Sequence, residues 1–192
     1  STLINLILGL LTPKTGQIII NNFRTRIGYV PQDIYLIDDT IKANIALGSE
    51  THEIDIPKIN QVLRESELES FIRNKKEGID LILGDRGVKI SGGERQRVGL
   101  ARALYDDKNI IIFDEATSSL DNQTEQSIMK SIINIKKKQS KPLTIIMIAH
   151  RLSSLVNCDK VILLEKGHIK DIDKLEVLMK KFPEYRNSDL KY

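Results

Sequence analysis

Apolar positions recur at helical spacing from the start of the chain, where Leu3, Leu6, Ile7, Leu10 and Leu11 predict a helix over Ser1–Leu11. Pro13, Thr15 and Gly16 break that pattern and predict a turn before a short strand, Gln17–Ile20. A second apolar run, Ile27–Val30, reads as a strand stopped at Pro31. From about Asp38 to Asp107 charged, helical segments predominate, among them Thr40–Ala46, Ile56–Glu65 and Gly93–Leu104. Alternation then returns. Strand Ile110–Phe113 precedes helix Gln123–Lys138, strand Leu143–Ile148 and strand Lys160–Leu164. Lys166-Gly167 predicts a hairpin turn into a short strand, His168–Lys170, before a closing helix over Lys174–Lys181. Near-continuous apolar strands separated by helices predict an α/β fold, its parallel sheet covered on both faces. The charged helical stretch in the middle reads as an insertion into that core.

Composition narrows the picture without redirecting it. A chain of 192 residues fits one domain, large enough to bury roughly 70 % of its unfolded surface. The net charge of +3 is too small for a nucleic-acid footprint. No apolar run approaches the roughly 20 residues that span a bilayer, and Ser1 opens into an amphipathic segment rather than a secretory signal. A protein of this kind that works at a membrane needs another segment to hold it there. The single cysteine, Cys158, excludes an internal disulfide and suits a reducing cytoplasm. The run Lys136-Lys137-Lys138 is a solvated helix end that complements the helix dipole.

Two segments carry the chemistry. Ile110–Phe113 runs into adjacent carboxylates, Asp114 and Glu115. A buried parallel strand delivers them to the carboxyl edge of the sheet, where α/β proteins bind ligands. There Asp114 can hold Mg²⁺ and Glu115 can face a water that attacks a phosphate; the same pair also suits a helix N-cap with an acidic first turn. The second segment is Ile90-Ser91-Gly92-Gly93-Glu94-Arg95-Gln96-Arg97. A hydroxyl and two glycines before a helix leave backbone N–H groups near the surface at the positive end of the dipole, which is an anion site. The plainer reading is an N-capped helix, for which the serine alone suffices; paired glycines add entropic cost there.

The Ser-Gly-Gly-Glu run with its Arg-x-Arg helix, followed by a strand ending Asp114-Glu115-Ala116-Thr117-Ser118-Ser119-Leu120-Asp121, resembles the signature and Walker B segments of ATP-binding-cassette (ABC) ATPases. In the family's order, Tyr29-Val30-Pro31-Gln32 resembles the Q-loop, Ser119-Leu120-Asp121 the D-loop, and Ile148-Ala149-His150-Arg151 the switch-histidine segment. Ser1-Thr2-Leu3 resembles the residues just after the lysine of a Walker A P-loop. The resemblance covers essentially the whole chain. It implies a RecA-like P-loop NTPase core (1–37 and 108–192) with a mostly parallel sheet and an inserted helical subdomain (38–107) that bears the signature. It also implies the cofactors, ATP and Mg²⁺, and a role for each matching residue. Ser1 would ligate Mg²⁺ and Thr2 contact the α-phosphate; Gln32 would join the metal and water shell and Asp114 order the metal. Glu115 would be the general base and His150 would contact the γ-phosphate. Ser91, Gly92, Gly93 and Glu94 would meet ATP held by the opposite subunit, with Asp121 crossing the interface beside it.

Departures from the family pattern are confined to a few places. The chain begins just after the position of the Walker A lysine, without the glycine-rich loop or the upstream adenine-stacking aromatic, so the sequence as it stands is expected to hydrolyse ATP poorly. The family also carries a longer stretch between Asn22 and Phe23. Glu94 stands for the commoner glutamine and Ile90 for leucine. Gly84-Asp85-Arg86-Gly87 resembles the loop by which exporter cassettes touch their membrane domains, and Gln32–Leu36 with Asp39–Ile45 resembles exporters too. The resemblance therefore implies an exporter-type ATPase, with lipid, oligosaccharide or peptide cargo. It would act as a homodimer or paired cassette at the cytoplasmic face of the inner membrane, held by a transmembrane domain, with no nucleic-acid partner. The rival readings are a soluble ABC ATPase of DNA repair or translation and a non-hydrolysing regulatory cassette.

Overall fold

The computed structural model describes residues 2–20, 26–106, 108–117, 120–138, 143–149 and 151–186. They form two compact units, Ser1–Ile146 and Met147–Tyr192. The first unit opens with helix α1 (Thr2–Ile7), followed by strand β1 (Ile27–Val30) and a group of helices: α2 (Ile41–Ile45), α3 (Ile56–Glu65), α4 (Glu69–Arg73) and the longer α5 (Gly92–Tyr105). Strand β2 (Ile110–Asp114) and helix α6 (Asn122–Lys138) come next, and the unit ends within strand β3 (Thr144–Ile148). The strands stand in the order β1-β2-β3. β1 pairs with β2 in parallel, Ile27 beside Ile110 and Val30 beside Phe113.

Burial explains why these runs are strands and helices. Ile111, Ile112 and Phe113 of β2 are all buried, as continuous apolar strands of a covered sheet should be. α6 turns Ile128, Met129, Ile132 and Ile135 inward at helical spacing. α5 approaches β1 closely: a side-chain carbon at Gly28 would lie 2.9 Å from the Ala103 carbonyl oxygen. Further along α5, a carbon at Gly99 would meet Ile34 Cδ1 at 2.5 Å. Glycine at both positions lets the helix lie against the strand and the segment after it.

Asn44 secures that same segment. Fully buried on α2, it accepts from the Ile37 N–H at 3.0 Å and donates to the carbonyls of Ile37 (3.0 Å) and Thr40 (3.1 Å). Arg102 of α5 donates from Nε to the Asn44 carbonyl at 2.8 Å and from Nη1 to the Tyr35 carbonyl at 3.0 Å. The stretch after β1 is therefore held by two helices.

Two expectations need correction. α1 ends at Ile7, not Leu11, because Gly9 (φ 74°) closes it with a Schellman motif. In that motif Leu10 N–H donates to the Asn5 carbonyl at 2.8 Å and Gly9 N–H to Leu6 at 3.1 Å. Residues 17–20 form no strand; Ile18, Ile19 and Ile20 are exposed and no neighbouring strand among the described residues pairs with them.

In the second unit, helix α7 (Leu152–Leu155) precedes an antiparallel hairpin of β4 (Val161–Glu165) and β5 (His168–Asp173), then helix α8 (Leu175–Lys181). Lys166 and Gly167 both have positive φ (49° and 80°) between paired Glu165 and His168. That is a two-residue turn whose twist matches the strands.

Candidate functional site

β2 ends at Asp114, and the next residue, Glu115, has φ 54°. A non-glycine residue in the left-handed region costs about 1 kcal/mol or more and persists only where its surroundings impose it. The chain therefore leaves the strand abruptly, with two successive carboxylates at the turn. Because β1 runs parallel to β2 and in register with it, Gln32 lies just past the same end of the sheet.

Register also brings Tyr29 to Asp114. Tyr29 sits beside Ile112; side chains two residues apart share a face, so its ring extends toward Asp114. The phenol donates to Asp114 Oδ2 at 3.0 Å. Burial, that hydrogen bond and the negative charge push the Tyr29 phenol up to about 12, so it stays a donor at neutral pH. The sequence placed Tyr29 only at the head of the Q-loop resemblance and gave it no role of its own. Its signal was a lone polar handle in an apolar strand, one strand over from the acidic pair.

The donor set at this edge suits Mg²⁺ brought with a nucleotide. Mg²⁺ is typically held by one or two carboxylates plus phosphate oxygens and waters. Asp114 supplies one carboxylate, and among the described residues no cluster of three His, Cys, Asp or Glu forms an all-protein cage. Gln32 is exposed, and its main-chain carbonyl has a different partner: Gln96 Nε2 on α5 donates to it at 2.7 Å.

At the start of α5, Ser91 and Glu94 form a capping box. The Ser91 N–H and hydroxyl donate to Glu94 Oε2 at 2.7 and 2.8 Å, and Ser91 Oγ accepts from the Glu94 N–H at 3.3 Å. Glu94 is thus engaged in capping. Gly92 and Gly93 are the first two helical residues, whose N–H groups have no carbonyl a turn behind them to bond. The two glycines differ. A side-chain carbon at Gly93 would lie 2.8 Å from Thr124 Cγ2, whereas one at Gly92 would find only Leu120 Cδ2, at 4.0 Å. Packing demands glycine at the second position but not at the first.

Asp121 caps α6. Its Oδ1 accepts from the N–H groups of Gln123 and Thr124, both at 3.0 Å, and its Oδ2 from the Thr124 hydroxyl at 2.6 Å. The Thr124 hydroxyl, with those backbone donors, holds the Asp121 carboxyl below its ordinary value. The first turns of α5 and α6 therefore touch within one chain, through Gly93 and Thr124.

A third link joins α5 to the end of α3. Glu67, in the left-handed conformation (φ 57°) just past α3, accepts at Oε2 from Arg97 Nη1 (3.1 Å) and from the Ser127 hydroxyl (2.7 Å). Arg97 Nη2 in turn donates to Ser127 Oγ at 2.9 Å. Burial pushes the Glu67 carboxyl up, but hydrogen bonds from Ser127 and Ser131 and the Arg97 charge outweigh it and hold the group below its ordinary value.

Thr2 lies exposed on α1. Ser1, Ser119 and His150 fall outside the described residues. The structure thus brings Asp114, Glu115 and Gln32 to one sheet edge and sets Gly92 and Gly93, between the paired Ser91 and Glu94, against Leu120 and Thr124.

Comparison with known proteins supplies the family. The family model described as ABC transporter matches residues 1–118. The chain is 37 % identical over 180 residues to an ATP-dependent lipid A-core flippase of Ralstonia nicotianae, covering 88 % of this chain and 30 % of that protein. It is 38 % identical over 193 residues to the ABC transporter ATM1 of Toxoplasma gondii, covering 94 % of this chain and 16 % of that protein. Among solved structures, that of a bacterial Atm1-family ABC exporter with ATP bound superposes with TM-score 0.83 at 32 % identity, over 96 % of this chain and 33 % of that one. The chain spans a third or less of each of these proteins. With the parallel sheet, the acid-ended strand and the capped glycine-rich helix all in place, the chain belongs to the ABC transporter family, as an ATPase domain with the P-loop NTPase fold.

Proposed function

We propose that this domain binds Mg-ATP and hydrolyses it, in a pair of cassettes that close on the nucleotide and drive an exporter's transmembrane domain. The observation that carries the proposal is the end of β2, where Asp114 closes a buried strand and Glu115 sits in a strained backbone conformation at the sheet's ligand-binding edge. Mg²⁺ supplies charge neutralisation on the phosphate oxygens, and Asp114, Gln32 and Ser1 are the residues to hold it. Thr2 contacts the α-phosphate. Glu115 accepts a proton from the water whose oxygen forms a bond to the γ-phosphorus as the bond to the ADP oxygen breaks. His150 and Gln32 fix that water and the γ-phosphate in line, so catalysis is mostly positioning and charge stabilisation.

The remaining assignments belong to the same reading. The core comprises 1–37 and 108–192, and 38–107 is a helical subdomain whose signature, Ser91 to Gly93 with Glu94 as its cap, meets ATP held by the opposite copy. Asp121 lies beside that interface. The flippase and exporter relatives support the exporter branch over a DNA-repair ATPase. Among the described residues no helix is long and apolar enough to cross a membrane; the flippase and exporter relatives support a transmembrane partner and a cassette at the cytoplasmic face. Val88, 77 % exposed, and the exposed Ile82 flank the Gly84–Gly87 loop and support its docking to that domain.

The direct test is Glu115→Gln in the full-length protein, which keeps size and polarity while removing the base. ATP binding should persist while turnover drops about 10²- to 10⁴-fold. Wild-type turnover would move the base to another residue, with His150 the first to examine.

A further inference from the structure

We infer that Tyr29 is a positioning residue for the metal site: its phenol commits one oxygen of Asp114 and leaves the other to face the cation. The inference rests on the reading of Asp114 as a metal ligand. It begins with strand register. Tyr29 lies beside Ile112 on the parallel neighbour, and Asp114 follows on the same face of β2 two residues on. A tyrosine is long enough to cover that diagonal, and the 3.0 Å contact from its hydroxyl to Asp114 Oδ2 shows that it does. The rest of β1 is Ile27, Gly28 and Val30, so the phenol is the strand's one polar side chain, and it is directed at this carboxylate.

The geometry matters because Mg²⁺ tolerates little departure from octahedral coordination at about 2.0–2.1 Å. A carboxylate at a strand end, free to spin about its terminal bond, loses entropy each time it adopts the ligating orientation. A hydrogen bond to one oxygen removes that freedom before the metal arrives. Partners of this kind behind a ligand typically change metal affinity 10- to 100-fold when lost. Tyr29 also reaches Asp114 from the neighbouring strand rather than from the loop after β2. Its hold is therefore anchored in the sheet and independent of the Glu115 turn.

The experiment uses the full-length protein with Tyr29→Phe, which deletes only the hydroxyl, and with Asp114→Asn in parallel. Mn²⁺ replaces Mg²⁺ as a paramagnetic probe, and its affinity for the ATP-loaded protein is read by electron paramagnetic resonance. ATP binding in the presence of a chelator and the melting temperature are measured alongside. Tyr29→Phe should weaken Mn²⁺ binding about tenfold, and raise the Mg²⁺ concentration for half-maximal turnover by a similar factor. Metal-free ATP binding and the rate at saturating Mg²⁺ should stay within about threefold of wild type. A purely structural role would lower the melting temperature without moving the metal titration. If Asp114→Asn loses Mn²⁺ affinity while Tyr29→Phe keeps it, the positioning role is wrong and the metal site stands. If neither variant changes the affinity, Asp114 is no ligand and both readings fall. Should Tyr29→Phe fail to fold, Tyr29→Leu carries the same titration with the same outcomes.

Discussion

Replacing Gly92 and Gly93 by alanine, one at a time, separates what the fold needs from what a ligand needs. At Gly93 the new methyl would sit 2.8 Å from Thr124 Cγ2, and Thr124 cannot swing away cheaply because its hydroxyl is bound to Asp121 at 2.6 Å. Overpacking of this kind costs about 1–3 kcal/mol, set against a gain of about 0.5–1 kcal/mol for alanine over glycine in a helix. The midpoints of those ranges leave a net loss of about 1 kcal/mol, a melting temperature lower by roughly 2–5 °C in a chain of this size. At Gly92 the nearest atom is Leu120 Cδ2 at 4.0 Å, so alanine should leave the melting temperature unchanged or raise it. Gly92→Glu should fold too, but it sets a carboxylate where the γ-phosphate of a partner's ATP would approach. Two like charges about 4 Å apart at an effective dielectric near 20 repel by about 4 kcal/mol, which is about 10³-fold in a dimerisation constant. The assay is sedimentation of the full-length Glu115→Gln protein with Mg-ATP, with and without Gly92→Glu, beside thermal melts of each single variant. If the Gly92→Glu protein dimerises as tightly as its parent, the signature does not close the site. If Gly92→Ala melts as low as Gly93→Ala, the steric argument is wrong at its base.

Other outcomes rest on contacts that the sequence pattern does not display. Asn44→Leu keeps the branched heavy-atom shape but leaves the Ile37 N–H without its side-chain acceptor, at about 1–3 kcal/mol; the melting temperature should fall by roughly 2–12 °C, and a change of less than about one degree would contradict that cost. Glu67 is held below its ordinary value of 4.5, so its contribution is fully present above that pH and is lost as pH falls through the lowered folded-state value. Glu67→Gln should therefore flatten the acid side of a plot of urea midpoint against pH and leave its slope near neutrality unaltered; an unchanged acid limb would show that the Arg97–Ser127 contacts contribute nothing to stability.

How much of this was legible beforehand depends on the range of the forces involved. The strand Ile110–Phe113 and its acidic end stood out because a covered parallel strand must be continuously apolar, and its first charges mark where it emerges. The Lys166-Gly167 hairpin was equally local, since a two-residue turn with both φ positive has few sequence solutions. The early end of α1 was local as well, and Gly9 carried it. Leu10 and Leu11 keep helical spacing beyond that point only because apolar residues continue past the Schellman turn. Residues 17–20 failed differently: an apolar run has the composition of a strand, but a strand exists only where a ladder partner does.

The candidate site divides along the same line. The acids and the paired glycines were readable one segment at a time, whereas the jobs of Glu94 and Asp121 required weighing two mechanisms at once. The spacing from Ser91 to Glu94 is that of a capping box, and Asp121 stands one residue before a helix. Both patterns are visible in the chain, yet the resemblance drew attention to the nucleotide instead. A capping role does not exclude a role at an interface; it means that Asp121 enters one with both oxygens already engaged, so any contact across a pair of cassettes would have to share them or give up the cap. Tyr29 and Arg97 lay beyond any local reading. Tyr29 meets Asp114 across 85 positions and Arg97 meets Ser127 across 30, and both contacts depend on register and packing that no window of neighbouring residues contains. The two differ in consequence. The Arg97 contact ties helix to helix and is answerable in melting temperature, whereas the Tyr29 contact ends on a carboxylate at the sheet edge and is answerable in the affinity of a metal.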